Sequence, residues 1–291
     1  MTTVTQDSTI PLRKAVSFLT EFISSFFGIA PGVVRGIAVG ALVALCASLL
    51  GTTLVLKRFS MIGDGLSHVA FGAMAAAAAV GVAPLWIAVP VVIAAAFVLL
   101  RFCGNDDGAK GDSAVALIAC TSLAVGITVM KFSDSSVSVS NYMFGSIAAV
   151  GEAELYVCLP LCVIIISAFV LLYNSIFTVT FDEAFAKTSG VNVSMYNCTI
   201  ALLTALTIVV GMKIMGTLLI SGLIIFPSLT AMKLFGSFKK VVIASGVISI
   251  ICFAAGLAAS IAFDTPIGAS VIIANAALFT LCSISRLFLK K

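Results

Sequence analysis

Residues 57–72 read KRFSMIGDGLSHVAFG. Lys57 and Arg58 close one apolar run, a second run opens directly after them, and inside that second run stand Asp64 and His68, the chain's single histidine. In a helix, residues four apart share a face about one turn from each other. The carboxylate and the imidazole therefore project together. Working outward from this stretch, only 10% of the 291 residues are charged and 61% are hydrophobic, against about 25% charged in an ordinary soluble domain. So few charges cannot coat a globule of this length against water, whereas a bilayer accepts the apolar surface directly. The fold class that follows is all-α, a polytopic transmembrane helical bundle.

Apolar runs near membrane length recur at 31–56, 61–82, 84–102, 113–130, 155–177, 196–212, 216–232, 241–263 and 266–288. The length rule makes these roughly eight to nine spans. The run at 216–232 is short and contains Pro227, so a broken or partly inserted segment is the alternative to a ninth span. Residues 1–30 form a separate N-terminal unit ahead of a transmembrane bundle at 31–291. Within it, residues 1–10 are polar, and 13–29 read as an amphipathic interfacial helix. Phe18, Leu19, Phe22, Ile23, Phe26 and Phe27 gather on one side of that wheel; Arg13, Lys14, Ser17, Thr20, Glu21, Ser24 and Ser25 gather on the other. Numbering the sides alternately across nine spans puts eleven of the 16 Lys and Arg residues on one side and five on the other. The richer side is expected to be cytoplasmic, with the C-terminus inside and the location the cell inner membrane. A net charge of +4 is too small to argue for nucleic acid. The eight cysteines sit in or beside apolar runs without a Cys-x-x-Cys pair, which implies no disulfide framework. No Gly-x-x-x-x-Gly-Lys-Ser/Thr phosphate loop occurs, so any nucleotide-powered step needs another chain.

An ionisable residue inside a membrane segment is a functional candidate by default. Asp64 offers a hard oxygen ligand and His68 a borderline nitrogen, a combination that suits Mn, Fe or Zn ions. The other reading is a neutral hydrogen bond that locks helix packing. Two ligands make an incomplete shell, and the rest of the apolar runs supply little: Asn275 lies inside the last, Lys213 follows the sixth, and Asp264, Glu152 and Glu154 fall at ends or loops. A second copy that brings its own Asp64 and His68 face to face would complete a four-ligand site. Gly63, Gly65, Gly72 and the alanines at 75–79 permit close helix approach, either across such a dimer or within one chain.

The most polar internal stretch, TFDEAFAKTSGVNVSMY at 180–196, falls on the side expected to be cytoplasmic. Asp182 and Glu183 precede a short helix-compatible run through Phe185 and Ala186, and Gly190 can end it in the left-handed conformation. A short helix between two spans can be a docking knob for a partner, or simply a solvated loop.

The ordered set GDGLSH at 63–68, FDEAFAKTSGVNV at 181–193 and GTLLISGLIIFPSLTA at 216–231 resembles the permeases of ABC metal importers of the manganese/zinc/iron type. YMFGS at 142–146 and DTPIGAS at 264–270 also look like family segments, and the similarity runs from about residue 31 to the end. The resemblance implies a homodimeric permease without catalytic chemistry of its own and without a permanently bound cofactor, its cargo being a divalent metal ion. It also implies a cytoplasmic ABC ATPase dimer that hydrolyses ATP and an extracytoplasmic metal-binding protein that delivers the ion. Asp64 and His68 then correspond to the metal path. Asp182, Glu183, Phe185, Ala186 and Gly190 correspond to the ATPase-docking segment. The rival class is a stand-alone secondary metal/proton transporter in which the same pair carries protons, since imidazole is a proton carrier near neutral pH. A purely structural membrane scaffold would give the pair no reason to be in lipid.

Overall fold

The computed structural model describes residues 31–103, 108–132, 139–145 and 151–289. The N-terminal unit at 1–30, with its expected amphipathic helix, lies outside the described residues. In chain order the helices are α1 (Pro31–Leu56), α2 (Ser60–Val80), α3 (Pro84–Cys103), α4 (Gly108–Phe132), α5 (Val139–Phe144), α6 (Glu152–Leu171), α7 (Tyr173–Phe181), α8 (Glu183–Thr188), α9 (Val193–Leu234), α10 (Phe238–Phe263) and α11 (Ile267–Leu289). No strand occurs among the described residues. Helices are what an apolar chain must form in lipid, because each satisfies its backbone donors and acceptors internally.

Six of the described helices are long and apolar enough to cross a membrane: α1, α3, α4, α9, α10 and α11. A seventh candidate is the pair α6 and α7, bent by 66° at Leu172. The stretch read as one run at 155–177 is therefore broken. Helix α2 has the length, at 21 residues, but Asp64, Ser67, His68 and three glycines dilute its hydropathy.

The runs at 196–212 and 216–232 are the two limbs of α9. Its 42 residues would extend about 63 Å if straight, roughly twice a bilayer core. Instead the chain folds back at Gly216 (φ 82°, ψ 166°). The first limb runs antiparallel to α1: Asn197 accepts a hydrogen bond from Lys57 at 2.5 Å, and a Cβ on Gly40 would stand 3.1 Å from Met215 Cε. The second limb runs parallel to α1 and antiparallel to α2: Met215 stands against Gly40 and, nine residues on, Ile224 against Gly51, while Ile224 and Ser221 face Gly63 and Ser67 of α2 in turn. The break falls at Gly216 and not at Pro227, through which the second limb continues as helix.

The apex is an interlock of two glycines. Gly145 (φ 73°), just after α5, and Gly216 both have positive φ. A Cβ on Gly216 would stand 2.4 Å from the Met143 carbonyl oxygen and 2.6 Å from the Gly145 nitrogen. Only glycine accepts both the backbone conformation and the contact.

Helix α9 is the central element, packing against α1, α2, α3, α10 and α11. Hydroxyls join the central helices. Thr52 of α1 shares hydrogen bonds with Ser245 of α10 at 3.0 Å and Ser228 of α9 at 3.4 Å; Ser249 donates to the Ala44 carbonyl at 2.9 Å. Between apolar helices such groups supply cohesion that lipid-like side chains cannot. Helices α3, α4 and α11 leave large apolar side chains outside, among them Trp86, Leu117, Val125, Ile273 and Leu281, as a lipid-facing perimeter requires.

Candidate functional site

Helix α2 carries the site, and its environment explains its sequence. Three of its faces are packed. Gly63 abuts Ile224 of α9, Gly65 abuts Val115 of α4, and Gly72 approaches the Ser122 carbonyl of α4. Ser67 Oγ hydrogen-bonds Asp64 O at 2.7 Å and Ser221 Oγ of α9 at 3.1 Å. The small residues are thus used for packing within the chain. The remaining face is a strip of partly or fully exposed residues at Met61, Asp64, His68 and Ala76, with Gly72, half-covered by Ser122, at its edge.

On that strip His68 Nε2 lies 3.8 Å from Asp64 Oδ2, and the side chains are 22% and 43% exposed respectively. At that distance the two are not hydrogen-bonded to each other, so the packing-lock reading lacks its bond. Two ligands of one tetrahedral ion, each about 2.1 Å from it, stand about 3.4 Å apart; the 3.8 Å here is within a few tenths of an ångström of that. His68 Nδ1 is buried without a hydrogen-bond partner among the described residues. The pair can offer one oxygen and one nitrogen to an ion on the open strip. Among the described residues no group of three or more His, Cys, Asp or Glu side chains could hold a metal ion.

Asn275 and Lys213 are not part of this pair. Asn275 is 2% exposed within α11; its amide donates to the Val271 carbonyl at 2.9 Å, and its carbonyl oxygen is buried without a partner. Lys213 lies one turn before the α9 apex, beside a cavity of about 260 Å³ lined also by Leu85, Val89, Val157 and Cys158. Glu152 heads α6 and pairs with Arg35 at 2.6 Å, at the end of the bundle opposite Lys57. The seven-residue motif that begins at Asp264 is a helix end: Asp264 (φ 52°) terminates α10, and Thr265 hydrogen-bonds Ser270 at 2.7 Å.

The segment 182–190 is a capped single turn. Asp182 Oδ1 accepts from the Phe185 backbone nitrogen at 2.8 Å, which starts α8. Gly190 (φ 80°) ends it, and the Val191 nitrogen returns to the Ala186 carbonyl at 2.9 Å. Ala186 is fully buried between Val179 and Val193. In this chain it serves as the internal anchor of the turn, whereas Phe185 is 59% exposed. Glu183 Oε1 binds Lys57 Nζ at 2.8 Å. Partial burial tends to raise the Glu183 pKa, but the hydrogen bond and charge of Lys57, helped by Asn197 and Lys187, outweigh it and hold the carboxyl below its usual range.

Sequence reasoning missed the role of Lys57. It read as a boundary cation, yet its side chain is 6% exposed and joins the end of α1 to both α8 and the first limb of α9. The hydroxyl cluster around Thr52 was equally invisible, because isolated Ser and Thr in apolar runs carry no pairing signal.

A helical bundle with an apolar perimeter and six described helices long and apolar enough to cross a membrane defines a multi-pass membrane protein. The chain belongs to the ABC 3 transport family, whose model matches residues 30–286. It is 28% identical over 251 residues to the high-affinity zinc uptake system membrane protein ZnuB of Buchnera aphidicola, covering 86% of this chain and 95% of that one. It is 24% identical over 264 residues to the manganese import system permease protein ScaB of Streptococcus parasanguinis, covering 90% and 92%. Among solved structures it superposes on PsaBC from Streptococcus pneumoniae in complex with Fab with a TM-score of 0.78, at 23% identity over 91% of this chain and 95% of that one. As an ABC transporter permease subunit, the chain is not itself catalytic.

Proposed function

We propose that this chain is the permease subunit of an ATP-driven importer of divalent metal ions, Mn, Zn or Fe, and that it works as a homodimer. The observation that carries the reading is the Asp64–His68 pair, 3.8 Å apart on the one open strip of α2 in a chain whose described residues hold no larger ligand cluster. A second copy related by a two-fold axis doubles the ligand set to two oxygens and two nitrogens, a complete tetrahedral shell. The names of the relatives support zinc and manganese as cargo classes. The two limbs of α9, helix α2 and the bent α6–α7 pair, counted separately with the other five helices, make nine crossings. Those crossings put Lys57, the 182–190 segment and Lys239 on the cytoplasmic side. There Phe185 docks onto a separate ABC ATPase, which hydrolyses the ATP, and an extracytoplasmic binding protein presents the ion at the other end.

The test is uptake of radiolabelled Mn, Zn and Fe in proteoliposomes containing the permease, its ATPase and its binding protein. Asp64→Asn keeps shape and removes charge; His68→Leu keeps bulk and removes the ligand nitrogen. Each is expected to abolish uptake while the ATPase remains associated. Near-normal ATP-driven uptake by the double variant would end the proposal. Uptake driven by a proton gradient without ATP would instead make the chain a secondary transporter.

A further inference from the structure

Helices α1, α6, α7 and α10 leave a groove of about 740 Å³ between them. Its walls are apolar, formed by Leu45 and Leu49 of α1, Phe169 and Val170 of α6, and Val247 and Ile250 of α10. Its floor is Gly246, where an added Cβ would meet only the Leu45 side chain, at 3.0 Å. The neighbouring Ser245 is turned inward to Thr52, so the floor presents no polar group. The 66° bend at Leu172 opens the groove at one end, and there the lining changes character to Tyr173, Asn174 and Lys239. The Tyr173 ring is braced by Phe238 at 5.4 Å. Lys239 is exposed, Lys240 follows it, and Lys239 has no ion pair or hydrogen bond among the described residues. The two carboxylates of the acidic stretch that begins at Asp182 are engaged elsewhere, Asp182 at the α8 cap and Glu183 with Lys57.

We propose that this groove holds an acyl chain of one anionic phospholipid, with the headgroup against Lys239. Three features select that occupant. The distance along α10 from Lys239 to Ile250 is about 16 Å at the helical rise, and one leaflet of hydrocarbon is about 15 Å deep. The apolar length therefore ends where an acyl chain ends. Tyrosine and lysine stand together at the other end, at the depth where headgroups and interfacial side chains meet. The charge there is positive without a partner among the described residues, and cationic pockets between membrane helices attract anionic headgroups. The proposal rests on the chain spanning a membrane and is independent of what it transports.

The test uses the full-length chain in mild detergent, with phosphatidylglycerol and phosphatidylcholine of matched chains as probes and native mass spectrometry as the readout. Phosphatidylglycerol is expected to bind at least about five-fold more tightly than phosphatidylcholine, the scale expected of one interfacial lysine. Lys239→Gln, a surface change that leaves the groove intact, should abolish that preference. A phosphatidylglycerol carrying a diazirine at its chain end should label the face of α10 around Val247 and Ile250, and an excess of unlabelled lipid should suppress the adduct. Equal binding of the two lipids by the wild-type chain, an unchanged preference in the lysine variant, or adducts spread evenly over α3 and α4 would each overturn the proposal. So would p-benzoylphenylalanine in place of Val247 cross-linking a second copy or residues 1–30, since the groove would then be filled by protein.

Discussion

Replacing Gly216 with alanine should damage this protein far more than one methyl group ordinarily does. Two independent costs arise. The first is conformational: φ 82° with ψ 166° belongs to a region that is essentially glycine's alone, and holding another residue there costs about 1–3 kcal/mol. The second is steric. The new Cβ would lie 2.4 Å from the Met143 carbonyl oxygen, 2.6 Å from the Gly145 nitrogen and 2.7 Å from the Met143 carbonyl carbon. All three are backbone atoms, so no side chain can swing aside, and relief requires α5 to move by nearly 1 Å. Overpacking of that kind costs a further 1–3 kcal/mol or so. The sum is about 2–6 kcal/mol, which should lower the thermal unfolding midpoint in detergent by about 5 °C or more. Gly236→Ala is the control, because a Cβ there meets nothing within 4 Å and should shift stability by less than about 0.5 kcal/mol. The measurement is a thermal melt of both variants beside the parent, with monodispersity recorded at each temperature. A Gly216→Ala midpoint within 1 °C or so of the parent would refute the claim that the glycine interlock sets the α9 fold-back.

Thr52→Val should cost about 0.6 kcal/mol, the usual worth of an interhelical hydrogen bond in a membrane, and adding Ser245→Ala to it should cost less than the two single changes combined; a double-mutant cycle of melting data checks this. Glu183, whose carboxyl is held below its ordinary range mainly by Lys57 against the opposing effect of burial, contributes stability that is complete above the unfolded pKa of about 4.3 and is lost as pH falls through the lower folded value. Because Glu183 is 47% exposed, that contribution should stay below about 1 kcal/mol, and Glu183→Gln should flatten the melting profile between about pH 5 and pH 3. Phe185→Ala should leave the melt unchanged and weaken ATPase association by more than about 1 kcal/mol. Ala186→Asp should instead destabilise the permease itself, since it buries a charge between Val179 and Val193; pull-down of the ATPase and thermal melts separate the two outcomes.

The parts that were legible in the sequence are those set by local geometry. Asp64 and His68 share a face because four residues make about one helical turn, and nothing distant alters that. Gly190 ends its turn with positive φ, as a glycine after a short helix commonly does. Gly216 marked the start of a run, and it is the break. What could not be read depends on partners far away in the chain. The α6–α7 bend falls at FVLLYNS, with neither glycine nor proline to signal it. It accompanies packing of Tyr173 and Phe177 against Phe238, some 60 residues later. Ala186 looked like part of a contact surface, and only the closure of Val193 over Val179 hides it. The glycines of α2 were compatible with a dimer seam or with internal packing, and the positions of Ile224, Val115 and Ser122 decide for the latter.

The short turn between α1 and α2 has one more consequence. It consists of Lys57, Arg58 and Phe59, with Arg58 forced to φ 63° and the Phe59 nitrogen still bonded to the Leu54 carbonyl at 2.8 Å. No spare chain exists there. Lys57 is bonded to Glu183 on one side of this turn, and Asp64 stands only one helical turn beyond Ser60 on the other. The connection between the exposed Phe185 and the strip that carries Asp64 and His68 is therefore a taut strap of a few residues. A push on Phe185 must either break the Lys57 contact or tilt the first turn of α2, and with it the angle at which Asp64 and His68 face whatever stands opposite them.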